Sequence, residues 1–167
     1  KEASKLGVAG ILAVTPYYNR PSQAGIDAHM RAVCAATTLP VVIYDIPVRT
    51  GRKINTPTLA KLANEVKNVA GVKDAAGNPA ESARLMTMVP KSFELISGDD
   101  GLTLPLMAVG CTAVIGVATH WSGVDHQEMF KKWNAGDTAG ARAVNARLVE
   151  SFAFETGDDN PNPLPTK

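Results

Sequence analysis

The sequence carries only two cysteines in 167 residues, Cys34 and Cys111, far apart and in apolar surroundings. That scarcity argues against a disulfide framework and predicts two small core residues instead. No apolar stretch reaches the roughly 18–20 residues of a membrane span, and no signal-peptide pattern opens the chain. An excess of one charge is also lacking: 17 Lys and Arg face 16 Asp and Glu, for a net charge of +1, and the basic residues are scattered. Neither nucleic acid nor an anionic membrane is therefore expected as a partner. The histidines, His29, His120 and His126, show no paired-ligand spacing, so no metal site is expected. With 45% hydrophobic residues the chain has ordinary globular composition and enough apolar mass for a core. A soluble, cytoplasmic protein is the expectation.

The ends carry their own signals. There is no initiator Met, and 1-KEASKLG-7 has the grammar of a helix's last turns closing on glycine. The other end, 158-DDNPNPLPTK-167, is rich in Pro and Asn and stops without a closing element. The chain is expected to be a fragment of a longer one.

Five short apolar runs alternate with longer helical segments: 8-VAGILAVTP-16, 40-PVVIYDIP-47, 69-VAGVKD-74, 93-FELISGDD-100 and 113-AVIGVAT-119. Most are nearly continuous in apolar residues, as parallel strands covered on both faces should be. Ser22 is placed to cap a helix over 23–38. Thr56-Pro57 and Asn78-Pro79 each open a helix with an early proline, and Gly136 divides a helical last third. Repeated strand-helix units predict an α/β fold with right-handed crossovers. A flavodoxin-like open sheet and a (β/α)8 barrel compete. No strand leads into a glycine-rich phosphate turn. Instead Tyr17, Tyr18, Tyr44, Arg49, Lys73, Asp99 and Asp100 all sit at or just beyond strand ends. Convergence of that kind favours the TIM barrel, whose full length of about 250 residues leaves N-terminal units missing here.

Lys73 closes a strand that should be buried, and desolvation depresses a lysine's pKa and leaves a nucleophilic amine able to form a Schiff base. Gly71 is expected to leave room beside its stem. Tyr44 closes the preceding strand and can deliver and remove the protons that imine chemistry needs. Arg49 offers a planar fork for a carboxylate. Asp99 and Asp100 follow Ser97-Gly98, and at least one is expected to cap a helix over 101–110. Each residue alone has an ordinary explanation: a snorkelling lysine, a half-buried aromatic, a solvated arginine. Their grouping carries the argument.

With 15-TPYYNRPSQAG-25, 44-YDIPVRTG-51, 71-GVKDAAG-77, 97-SGDD-100 and 114-VIGVATH-120 in order, the chain resembles the C-terminal part of the dihydrodipicolinate synthase family. That family belongs to the pyruvate-dependent class I aldolases, with N-acetylneuraminate lyase. The resemblance implies a TIM (β/α)8 barrel of which residues 1–167 form one partial domain carrying about strands 4–8. It implies condensation of pyruvate with L-aspartate 4-semialdehyde to 4-hydroxy-tetrahydrodipicolinate, in lysine and diaminopimelate biosynthesis. No cofactor is implied, since pyruvate is carried as an imine on Lys73. Tyr44 is implied as the proton relay, and Tyr18 as a tyrosine that reaches across a dimer interface into the neighbouring site. Arg49 would receive the semialdehyde carboxylate, Gly98 and Asp99 would line its pocket, and the Ile115 carbonyl would lie near the pyruvate adduct. A homo-oligomer, dimer or tetramer, is implied as well.

Two features depart from the family. Its Gly-Thr-Thr-Gly-Glu segment, which holds the pyruvate carboxylate, would precede Lys1, so the fragment alone is expected to be inactive. Gly116 stands where many members have serine, a change not expected to affect the chemistry. Two other functions compete: a related pyruvate-dependent lyase or keto-deoxy-sugar aldolase, and a non-catalytic half-barrel binding module.

Overall fold

The computed structural model describes residues 1–157 and 159–167, so the first residue of the Pro- and Asn-rich tail, 158, lies outside the described residues. Five strands, β1 (Ile11–Val14), β2 (Val41–Asp45), β3 (Val69–Asp74), β4 (Glu94–Ser97) and β5 (Cys111–Val114), form one sheet in the order β1-β2-β3-β4-β5. Every neighbouring pair is parallel. An open flavodoxin-like sheet reverses direction after its first crossover, giving a non-sequential strand order. The strictly sequential order excludes it and gives five consecutive units of a (β/α)8 barrel.

Helices α1 (Gln23–Ala35), α2 (Pro47–Thr50), α3 (Thr56–Glu65), α4 (Pro79–Met86), α5 (Thr103–Met107), α6 (Thr119–Asn134) and α7 (Thr138–Thr156) fill the intervals. Their boundaries follow local chemistry. The Ser22 hydroxyl accepts the Gly25 N–H to start α1, and the Asn78 side chain accepts the Glu81 N–H before Pro79 starts α4. Helix α3 begins two residues earlier than Thr58, with Asn55 at its N-cap position and Pro57 inside the first turn. Gly136, at φ 80°, separates α6 from α7, where a left-handed residue closes the first helix at little cost. At the start of the chain, Ala3–Leu6 forms a single 3₁₀ turn ending on Gly7 at φ 72°.

Helices α1 and α3 each bury one apolar stripe. In α1 it is Ile26, Met30 and Cys34, spaced by four. In α3 it is Leu59, Ala60, Leu62 and Ala63. These stripes meet Val41, Ile43, Val72 and Leu95 from the strands in one core. Cys34 and Cys111 are both buried and free, as small core residues. The Asn68 amide donates to the carbonyls of Cys34, Thr37 and Leu39 at 3.0–3.2 Å, tying the loop after α1 to the start of β3.

Strand β1 is shorter than its apolar run: residues 8–10 are exposed and only Ile11–Val14 pair with β2. Leu12 and Val14 stay partly exposed on it.

Candidate active site

Alternation along the strands decides which polar side chains meet. Tyr44 and Lys73 are register partners across β2 and β3, as are the next residues, Asp45 and Asp74. Successive side chains leave opposite faces of a sheet, so the phenol and amine share the inner face while the two acids go outward. Outward, Asp45 accepts the Ile54 N–H at 3.2 Å and lies 3.5 Å from Lys53, while Asp74 accepts from Ala76 N–H and Ser82 hydroxyl. Burial pushes the Asp45 carboxyl up to about 6. These acids knit strand ends to the helix layer. Inward, the Lys73 Nζ lies over the Tyr44 ring, 4.2 Å from its centroid. Burial pushes the Lys73 amine below the ordinary lysine range, with the Asp100 carboxylate pulling the other way. Burial raises the Tyr44 phenol, and Arg49 opposes that rise.

Room for the lysine stem comes from Gly98, not Gly71. A Cβ on Gly98 would stand 3.0 Å from both Cγ and Cε of Lys73. A Cβ on Gly71 would instead meet the Glu94 carbonyl oxygen at 2.4 Å, so that glycine permits the close approach of β3 and β4. The sequence contained both glycines, but only the β3–β4 register separates their roles.

Arg49 lies in the one-turn helix α2, which Pro47 starts and Gly51, at φ 74°, ends. Its Nη2 donates to the Asn162 carbonyl at 3.2 Å, so the tail passes beside the guanidinium. Tyr44, Arg49, Gly98 and Asp99 line one cleft at the C-terminal ends of the strands, with Asp100 and Glu155 deeper in the same wall. Asp99 accepts the Leu102 N–H at 3.2 Å in the turn before α5, but the N-cap position of that helix is Leu102 with no side-chain cap, so neither acid caps it as expected. That helix is short, Thr103–Met107, where a helix over 101–110 was expected.

Three of the expected site residues do not line the cleft: Lys73, which reaches it only through its contacts with Tyr44 and Gly98, and two that stand farther apart. Tyr18 is 96% exposed, at φ 69°, a left-handed conformation uncommon outside glycine. Ile115 lies just past β5, its N–H donating to the Ser97 carbonyl at 2.9 Å and its side chain partly exposed. Neither lines the cleft.

Sequence reasoning missed a buried group beneath the cleft. Asp100 (3% exposed), His126 (2%) and Glu155 (4%) come from three elements and face one another. Asp100 accepts the Val117 N–H at 2.7 Å, and its other oxygen lies 3.5 Å from His126 Nε2. His126 Nδ1 lies 3.0 Å from the Ser122 carbonyl. Burial and the adjacent Asp100 carboxylate push Glu155 up to about 8. One signal for Glu155 was available. It continues the buried stripe Ala141, Val144, Leu148 and Phe152 at helical spacing, an acid where an apolar residue belongs.

A desolvated amine, a phenol beside it, and a guanidinium at the rim form a set suited to imine chemistry on a carbonyl that carries an acidic group. Comparison with known proteins points the same way. A family model described as Dihydrodipicolinate synthetase family matches residues 1–167. The 4-hydroxy-tetrahydrodipicolinate synthase of Moorella thermoacetica is 44% identical over 164 residues, covering 98% of this chain and 56% of that protein. Its Bacillus subtilis counterpart is 38% identical over 169 residues, covering 100% of this chain and 57% of that protein. The crystal structure of dihydrodipicolinate synthase from Aquifex aeolicus matches with a TM-score of 0.92 at 35% identity, over 98% of this chain and 56% of that one. This chain therefore spans a little over half the length of the relatives it matches.

Proposed function

The chain belongs to the dihydrodipicolinate synthetase family, and from that premise we propose that it carries the Schiff-base part of a 4-hydroxy-tetrahydrodipicolinate synthase site. Lys73 condenses with pyruvate, and the resulting enamine attacks L-aspartate 4-semialdehyde, in a route to lysine and diaminopimelate. Residues 1–167 make up the C-terminal units of one barrel domain, and the site is completed by parts of the barrel outside this sequence. No cofactor is needed, because pyruvate is held covalently as the imine. The setting is the cytoplasm, and the working form is a homo-oligomer.

One observation carries this reading: Tyr44 and Lys73 are register partners, with Nζ 4.2 Å from the ring centroid, at the mouth of the strands. A lowered lysine pKa leaves more of the amine neutral and able to attack the keto carbon. Tyr44 passes protons as the carbinolamine forms and dehydrates. Arg49 takes the second substrate's carboxylate, with Gly98 and Asp99 along the same wall. The Ile115 carbonyl lies toward the adduct. Tyr18, exposed and held at positive φ, is suited to reaching into a neighbouring subunit. A keto-acid-sugar lyase would need neutral hydrogen-bonding groups where Arg49 stands, so the synthase is favoured over the related lyases.

Borohydride reduction of the full-length gene product with pyruvate tests the assignment. One pyruvate-derived mass is expected on the peptide that contains Lys73. Labelling on another lysine, or none, overturns it.

A further inference from the structure

Two residues of the loop between β1 and α1 hold a conformation that side chains avoid: Tyr18 at φ 69° and Arg20 at φ 44°. Such strain persists only where surrounding contacts over-determine it. Three contacts tie this loop and the start of α1 to the stretch 51–55, which follows the one-turn helix α2. First, the Arg20 guanidinium lies against Gly51. A Cβ on residue 51 would stand 3.0 Å from its Cζ, 3.1 Å from its Nη2 and closer still to its Nε. Gly51, at φ 74°, thus closes α2 and also leaves the space that the guanidinium fills. Second, Arg52 Nη2 donates to the Arg20 carbonyl at 3.2 Å. Third, the Gln23 amide bridges two backbone groups. Its Nε2 donates to the Lys53 carbonyl and its Oε1 accepts the Asn55 N–H, both at 2.9 Å.

Ion pairing does not explain this seam. Among the described residues, neither Arg20 nor Arg52 forms a salt bridge with a carboxylate. Two cations on neighbouring turns repel, so packing on Gly51 and the carbonyl contact must hold them there. What the seam steadies is the turn that carries Arg49. Helix α2 has only the Arg49 and Thr50 N–H groups on the Ile46 carbonyl, at 3.0 Å, and the Gly51 N–H on the Pro47 carbonyl, at 2.7 Å. A single turn has no stability of its own and takes its position from what grips its ends. We infer that Arg20 is a positioning residue for Arg49: seated on Gly51 and pinned by Arg52, it braces α2 from the loop after β1 and fixes the direction of the Arg49 guanidinium. The inference rests on the reading that Arg49 takes the second substrate's carboxylate. A planar fork needs a set orientation to bind a carboxylate with two bonds, so loosening its turn weakens it.

The full-length gene product tests this by steady-state kinetics in each substrate and by deuterium exchange over residues 46–52. Arg20→Ala is expected to raise KM for aspartate semialdehyde about threefold to tenfold, part of what losing the whole charge-assisted contact costs. KM for pyruvate and the melting temperature should change little, while the amides of Arg49, Thr50 and Gly51 exchange faster. Arg20→Lys keeps the charge but loses the plane that fits over Gly51, and is expected to behave like Arg20→Ala. Arg52→Ala is expected to give the same signature, and the double variant little more than the larger single one, because both act through one seam. Arg20→Lys matching the unsubstituted protein would reduce Arg20 to its charge and overturn the inference. An unchanged semialdehyde KM in Arg20→Ala, where Arg49→Ala raises it, overturns it too, as do equal rises in KM for both substrates. If Arg49→Ala itself leaves the semialdehyde KM unchanged, the reading of Arg49 fails alone, and exchange at 49–51 still decides whether Arg20 braces α2.

Discussion

Replacing Gly98 with alanine separates a defect in positioning from a defect in folding. The added Cβ would lie 3.0 Å from Cγ and Cε of Lys73 and 3.1 Å from the Ala75 Cβ. Carbon atoms rest about 3.5–4.0 Å apart, so the contacts are short by about 0.5–1 Å. Ala75 has no freedom to retreat, whereas the lysine stem has four rotatable bonds, so the stem gives way. Displacing a reacting atom by about 1 Å costs on the order of 10²-fold, so pyruvate trapping in Gly98→Ala should slow by about 10–100-fold. The stability loss should stay near the low end of the roughly 1–3 kcal/mol typical of overpacking. Gly71→Ala is the control, because its Cβ meets the Glu94 carbonyl oxygen at 2.4 Å and two backbones cannot both yield. That variant should lose stability toward the upper end of the same range. Single-turnover trapping at saturating pyruvate, paired with thermal melts of both variants, reads the two effects. Trapping at the unsubstituted rate in Gly98→Ala, or a melt as depressed as in Gly71→Ala, refutes the assignment of Gly98 to the lysine stem.

Tyr44→Phe keeps the ring face over which Nζ lies but removes the hydroxyl. Turnover should fall by roughly 10²–10⁴-fold with the melting temperature little changed, and near-normal turnover returns Tyr44 to packing. Arg49→Ala should weaken aspartate semialdehyde by about tenfold or more, from the loss of a charge-assisted contact, while leaving pyruvate imine formation intact. Steady-state kinetics in each substrate checks this, and equal weakening of both would mean Arg49 supports the scaffold through its contact with Asn162.

The fold was legible because its determinants are local. Ser22, Asn78-Pro79 and Gly136 each mark a boundary by chemistry within a few residues, and the structure uses all of them. Lys73 and Tyr44 could be paired because both lie at the ends of consecutive strands, one residue before the last, and sequential strands are neighbours in a barrel. What escaped depends on register or on distant elements. Whether Gly71 or Gly98 makes room for the lysine turns on which residue of β4 lies opposite β3, which no local pattern states. Asp100 and Asp99 look alike as adjacent acids. One accepts the nearby Leu102 N–H, and the other is drawn to Val117, 17 residues on, by a contact that only the folded chain creates. Likewise the run 93–100 suggested a longer strand, yet pairing stops at Ser97, where the chain turns toward α5.

The strictly sequential strand order also fixes how firmly the lysine is held. β3 pairs with β2 on one side and β4 on the other, so its backbone is hydrogen-bonded from both flanks. Local opening begins where backbone hydrogen bonds are fewest. Backbone amides of β3 are therefore expected to exchange slowly with solvent deuterium, and the lysine amine keeps its distance from Tyr44 on a strand tied down on both sides.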